Sequence, residues 1–305
     1  MTKQLKADIM LFIITFLWGI SYYLMDVSMR ELSPFTLNAN RFIIAFLVAV
    51  ILAFPKLKGV SFETIKYSFF VGTILVFVYL GATYGVKYTS LSNAGFLCAL
   101  SVVFTPIFGY AIFKIKPERK LVFVVIMCLI GIGLLSLDKN LKPALGDFFC
   151  LICAVAYAFD LLITEKAVRK PEVNAFQLGV FQLGFSGLWQ LLLAFILEEP
   201  ALPKSKSVWM SVLFLAVFCT GVSFVVQAIA QQYTTATHVG IIFTLEPVFA
   251  GLVAFFLAHE ILLPRAYFGA VLLIAGCFIM EIKVNPETKI FKKLLYKKRK
   301  EKNDG

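Results

Sequence analysis

The sequence predicts an all-α membrane protein of ten transmembrane helices, and three observations predict it. Sixty per cent of the 305 residues are apolar and 15% charged, where soluble domains carry about 45–50% and about 25%. The 32 Phe outnumber the 18 Asp plus Glu, so there is too little polar side chain to cover a water-facing surface. The apolar residues also fall in runs near the length of about 20 that a helix rising about 1.5 Å per residue needs to cross the hydrocarbon core. Disorder, nucleic-acid binding and a disulfide scaffold are excluded with the soluble fold. The net charge of +11 sits at the ends of apolar runs and in the tail, not on a patterned face. The bilayer is the partner that such a chain requires.

In order, the spans are 8–28, 35–54, 67–86, 92–113, 121–137, 147–164, 173–197, 208–230, 236–258 and 265–282. Span 1 follows Lys3 and Lys6, as a secretory signal would, but no small-x-small cleavage site follows Trp18. Tyr67–Val86 and Val208–Ala230 carry no formal charge and are the clearest. Spans 5, 6 and 10 are short. In the last, Ala266–Met280 is uninterrupted for only 15 residues and relies on Arg265 and Glu281 reaching the interface. Tyr67, Trp209 and Tyr267 lie near span ends as interface-belt aromatics. The six Cys fall inside spans, where a thiol packs as a small apolar group; no ligand set completes the Cys150-x-x-Cys153 spacing, so no metal or other cofactor is expected.

An even number of spans puts both termini on one side, and Lys and Arg decide which. The side holding the termini carries 21 of the 29 basic residues and the other side 8. The expected location is therefore the inner cell membrane with both termini cytoplasmic, and residues 285–305 form a basic cytoplasmic tail.

Self-comparison gives a repeat. Tyr88-Thr89-Ser90-Leu91-Ser92-Asn93-Ala94-Gly95 aligns with Tyr233-Thr234-Thr235-Ala236-Thr237-His238-Val239-Gly240 at an offset of 145, which also pairs Phe123 with Phe268 and Gly131 with Gly276. Residues 1–140 and 141–284 then hold five spans each. Five is odd, so the second repeat enters the bilayer from the opposite side, and two inverted bundles can pack in two mirrored arrangements that open a central site alternately to each side.

The same residues resemble the two-repeat EamA branch of the drug/metabolite transporter superfamily over the whole chain. The resemblance rests on Trp18-Gly19-Ile20-Ser21-Tyr22, on Asn40-Arg41-Phe42, and on the Tyr-Thr/Ser-small segments that open spans 4 and 9. Leu245-Glu246-Pro247-Val248-Phe249-Ala250 with Glu260 and Gly269…Gly276 complete it. It implies a transporter of amino acids or related metabolites and no enzyme. The sequence departs from exact symmetry: Tyr157-Ala158 stands where span 1 has Trp18-Gly19, and Pro106 falls about four positions past the place matching Pro247.

Broken helices at matching places mark a substrate site. Pro106 and Pro247 supply candidate breaks, each freeing the carbonyl four residues before it, those of Val102 and Phe243. Glu246 lies beside the second, near the middle of its span, where an ionised carboxylate costs on the order of 2.5–3.5 kcal/mol. Three roles are open to it: binding a substrate amine, exchanging a proton, or capping freed backbone N–H groups. Asp160 is a second proton-coupling candidate, with an ion pair near the interface as its alternative. Trp18, Tyr22, Tyr79 and Tyr157 occupy mid-span positions and are expected to wall the cavity, with Gln227 and Thr244 adding polar groups. Asp26 and Arg41, in the outer third of adjacent helices, are expected to form a structural ion pair, with Asp26–Arg30 as the competing i, i+4 pair.

The function expected is a secondary carrier, in the exporting sense, for a small amphipathic molecule. A passive channel or receptor is the alternative. An intramembrane enzyme comes last, because the only two His, His238 and His259, stand at opposite ends of one helix. Proton coupling is compatible with Glu246, and a monomer and a homodimer are both open.

Overall fold

A computed structural model describes residues 2–89, 91–114, 116, 119–136, 144–257 and 264–281. The described residues are helical throughout apart from connections, with no strand among them. The helices are α1 (Lys3–Ser28), α2 (Pro34–Ala53), α3 (Phe62–Tyr88), α4 (Leu91–Ala99), α5 (Ser101–Phe113), α6 (Arg119–Ser136), α7 (Leu145–Val168), α8 (Ala175–Leu197), α9 (Lys206–Phe214), α10 (Ser223–Ala230), α11 (Ala236–Phe243), α12 (Glu246–Leu257) and α13 (Pro264–Glu281). Three expected spans are composite. Span 4 is α4 plus α5, span 9 is α11 plus α12, and span 8 joins α9 to α10 through a π-helical segment, Leu215–Val222. Taken so, the helices group into the ten expected spans. Among the described residues, seven stretches are long and apolar enough to cross a membrane, and Leu97–Phe113 and Tyr267–Ile279 are shorter apolar helices. The basic tail expected at 285–305, with Glu260 and His259, lies outside the described residues.

Local sequence explains where the helices start. Thr2, Ser61, Asn174, Ser205 and Thr235 are N-caps whose side chains accept the backbone N–H three residues on, at 3.0–3.3 Å. The α2 start is capped from afar: the Glu198 carboxylate accepts the Phe35 and Thr36 N–H groups at 3.1 and 2.9 Å and the Thr36 hydroxyl at 3.0 Å. Inside the helices, Thr15, Ser28, Ser68 and Thr105 return their hydroxyls to the carbonyl four residues back at 2.7 Å, which satisfies a polar group without leaving the helix.

Packing interleaves the two halves. The main partner of α3 is α7, of α2 is α8, of α6 is α13, and α1 lies on α12. Small residues permit the closest crossings. A Cβ on Gly81 would meet the Phe149 carbonyl oxygen at 2.5 Å and Cys153 N at 2.6 Å, and one on Gly85 the Cys150 Sγ at 2.4 Å, so the Gly81-x-x-x-Gly85 stretch is the seam on which α3 meets α7. Large apolar side chains such as Phe12, Ile13, Phe16, Phe195 and Ile196 point outward, as a lipid-facing surface requires.

A cavity between the broken helices

The two interruptions fall at residues 145 apart. In the first, Leu100 separates α4 from α5, held by three-residue bonds from Leu100 N to Leu97 O at 3.2 Å and from Val103 N to Leu100 O at 2.9 Å. In the second, Thr244 and Leu245 separate α11 from α12, with Thr244 N bonded to Ile241 O and Leu245 N to Ile242 O, both at 3.1 Å. Pro247 is the cause there. It sits in the first turn of α12, where a missing N–H costs nothing, and its ring excludes continuation of the helix through Phe243, the last residue of α11. The expected break at Pro106 is corrected: Pro106 lies inside α5, and the interruption is six residues earlier at Leu100. A proline can be carried within a helix once the turn before it is already distorted, and the bonds at Leu100 supply that distortion.

Between the interruptions lies a cavity of ≈ 60 Å³, room for about four waters. α1 contributes Trp18, Ser21, Tyr22 and Met25, and α3 contributes Val78, Tyr79 and Ala82. Cys98, Ala99 and Ser101 flank the first break and Phe243 and Glu246 the second, while Cys153, Tyr157 and Phe224 close the wall. The Trp18 ring is 4.8 Å from Phe243, 5.6 Å from Phe224 and 5.9 Å from Tyr157. Such offset contacts make the wall rigid. Glu246 and Tyr22 both line this cavity.

Of the residues expected to bind substrate, Trp18, Tyr22, Tyr79, Tyr157 and Glu246 come together around this cavity. Gln227 and Thr244 do not line it. Gln227 stands behind the wall, accepting the Tyr157 hydroxyl at 3.1 Å and donating to Asp160 Oδ2 at 3.2 Å. Gln231 extends this chain by donating to the Leu161 carbonyl at 2.9 Å. Asp160 itself is 1% exposed and not among the cavity-lining residues, and it forms no ion pair among the described residues. Thr244 turns its hydroxyl back to Ile241 O at 2.7 Å, on the α6 side near Cys128; the tight turn brings its own carbonyl acceptor closest.

The expected Asp26–Arg41 pair is not formed. Asp26 pairs with Arg30 at 3.5 Å, one helical turn away and half exposed, where the pair escapes most of the desolvation cost. Arg41 is buried and donates from Nε to Thr220 Oγ1 at 2.9 Å. Sequence reasoning also missed Met25, Cys98, Cys153, Phe224 and Phe243. Phe243 carries a signal, as the residue four before Pro247; Phe224 carries none among so many Phe. Cys98 and Cys153 share the cavity lining although they are far apart in the chain. Among the described residues no cluster of His, Cys, Asp or Glu is arranged to hold a metal ion.

Polar contacts close the bundle at the end where α1 begins. Asp8 and His238 are buried 3.3 Å apart. Glu165 accepts the Ala236 N–H at 2.7 Å and pairs with Arg169 at 2.6 Å. At the opposite end, Glu31 accepts the backbone N–H groups of Lys204 and Ser205 at 2.7 and 3.1 Å.

Comparison with known sequences decides the family. The profile of the EamA-like transporter family matches residues 5–137 and again 144–282. The chain belongs to the EamA-like transporter family. An uncharacterized transporter of Archaeoglobus fulgidus is 30% identical over 92% of this chain and 88% of its own length. Two Bacillus subtilis proteins, the uncharacterized transporters YetK and YoaV, are 23% and 20% identical over 92% and 87% of the chain, covering 88% and 93% of their own lengths. A crystal structure with a TM-score of 0.75 and 17% identity covers 90% of this chain and 96% of its own, and shows that the fold is shared. This EamA-family member is thus a multi-pass membrane transporter.

Proposed function

We propose that this EamA-family transporter is a secondary carrier that moves a small amphipathic metabolite by alternating access, in the exporting sense, with both termini cytoplasmic. The observation that carries the reading is the placement of one carboxyl group, Glu246, beside a helix interruption and inside an aromatic cavity bounded by a second interruption. Interrupted helices at mid-depth supply backbone groups and a hinge at once. A carboxyl group in such a site takes an amine or a proton. Glu246 is the primary coupling group and Asp160, joined to the cavity wall through Gln227 and Tyr157, is the second station for a proton. The repeat at an offset of 145 supports inverted halves, and the excess of Lys and Arg at one end supports the orientation. The inner end, closed by Asp8, His238 and Glu165, favours a gated carrier over a continuous pore.

The aromatic lining suits neutral, zwitterionic or cationic molecules with an apolar part, such as amino acids and related compounds. The test is a proteoliposome uptake panel of amino acids, amines, nucleosides and nucleotide-sugars under an imposed pH gradient. Saturable uptake of the first two groups, abolished or made pH-independent by Glu246→Gln in a protein that still folds, is expected. Preferential transport of nucleotide-sugars, or normal pH-dependent flux in the variant, overturns the reading.

A further inference from the structure

We infer that Arg41 is the anion subsite of the transport cavity and binds a carboxylate of the transported molecule; the inference rests on the carrier reading above. The Arg41 side chain is 0% exposed. Its Nε donates to Thr220 Oγ1, and its Cζ lies 4.7 Å from the centroid of the Tyr79 ring. Neither Nη1 nor Nη2 meets an acceptor. Asp26, the acid best placed by sequence to answer it, is taken by Arg30.

A guanidinium cannot escape burial by losing its proton, as a lysine can, so a buried Arg keeps its charge and its demand for acceptors. Left unanswered, that demand is costly. The atoms left over are the two terminal nitrogens of its fork, which match the two oxygens of a carboxylate. The stacking and the Thr220 bond fix the plane of that fork without using it.

The position joins this fork to the cavity. Tyr79, whose ring carries the guanidinium, is itself a wall residue beside Val78 and Ala82, and Arg41 stands one side chain behind the lining. A carboxyl group, Glu246, and a guanidinium, Arg41, thus stand on either side of one aromatic wall. A single guanidinium is matched to a monoanion rather than to a polyphosphate, so the molecule fitted is an apolar or aromatic body bearing one carboxylate, with an amine available for Glu246.

The experiment uses the full chain in proteoliposomes and three probes that share a ring and an amine: phenylalanine, phenylalaninamide and phenethylamine. Competition and thermal stabilisation are measured for wild type, Arg41→Lys and Arg41→Gln, each checked for monodispersity. The wild type is expected to favour phenylalanine over the amide by about tenfold or more, as a charge-assisted bidentate contact provides. Arg41→Gln should bring that ratio to within about twofold, with Arg41→Lys between, because a point charge lacks the planar fork. Should Arg41→Gln not fold, the ratio in Arg41→Lys decides alone. Wild type that binds the amine but ignores the carboxylate, or variants that keep the wild-type ratio, overturn the subsite and leave the carrier reading standing. Binding of none of the three removes both.

Discussion

The indole Nε1 of Trp18 donates to the carbonyl of Cys219 at 2.8 Å, across 201 residues of sequence. That carbonyl lies in the π-helical segment Leu215–Val222, whose wider turn leaves acceptors free of the usual ladder, a feature common at functional sites. The contact is doubled one residue away, where Cys219 Sγ approaches the Leu17 carbonyl at 3.2 Å. A cavity-wall residue is thus tied to the backbone of a helix from the other half. Trp18→Phe keeps an aromatic ring but removes the donor and part of the indole's packing volume. It is expected to cost about 1–3 kcal/mol, the penalty of a buried acceptor left unpaired, read as a lowered Tm in detergent. An unchanged Tm would mean that the carbonyl finds another donor.

Gly19 is where α1 touches α12 most closely. A Cβ there would stand 2.4 Å from Phe249 Cβ and 2.9 Å from Ala250 N, and neither atom is the free end of a flexible side chain. Gly19→Ala should therefore force the helices apart and destabilise by about 1–3 kcal/mol, with slower transport at a temperature where the protein is still folded. Wild-type Tm and rate together would refute this close approach.

Glu198 holds the start of α2 from the end of α8. Glu198→Ala removes an acceptor for two backbone N–H groups and a hydroxyl, and loss of a cap costs about 0.5–2 kcal/mol. Faster hydrogen exchange confined to the first turn of α2 is the expected readout. Glu198→Gln should recover part of the protection, since it keeps one acceptor but not the charge that suits a helix N-terminus.

Glu31 predicts a pH dependence. The Ser205 hydroxyl, followed by the backbone N–H groups of Lys204 and Ser205, holds its carboxyl below the usual glutamate range. A value lowered in the folded state means that this anchor is complete above the unfolded value near about 4.3 and is lost as pH falls through the lower folded one. Protection of the Lys204 and Ser205 amides, corrected for intrinsic exchange, should stay level from neutral pH to about 5 and fall only in stronger acid. Loss of protection between pH 7 and 5 would contradict it.

The spans were legible because hydrocarbon imposes one length on every helix, and each expected stretch appears within a few residues in the structure. Glu246, Tyr22, Trp18, Tyr79 and Tyr157 were legible for a related reason: polar-tipped or charged groups at mid-span have few places to go except inward. Finer geometry was not. Pro247 marks its break, but Leu100 breaks a helix with no proline at the position, and the sequence pointed to Pro106 instead. The π-helical segment leaves no compositional trace. For Arg41, two charges in neighbouring helices suggested a pair, yet the i, i+4 partner of Asp26 was nearer and wetter, and proximity within one helix prevailed.

The two interruptions are alike in place and unlike in mechanics. Pro247 has no N–H to donate to the Phe243 carbonyl, so α11 and α12 cannot complete the hydrogen-bond ladder across their joint. Leu100 has its N–H and accepts bonds from both Val103 and Phe104, so α4 and α5 retain the option of straightening by exchanging a three-residue bond for a four-residue one. The joint at Leu100 can be remade by exchanging one bond for another and that at Pro247 cannot, so the two hinges are unequal.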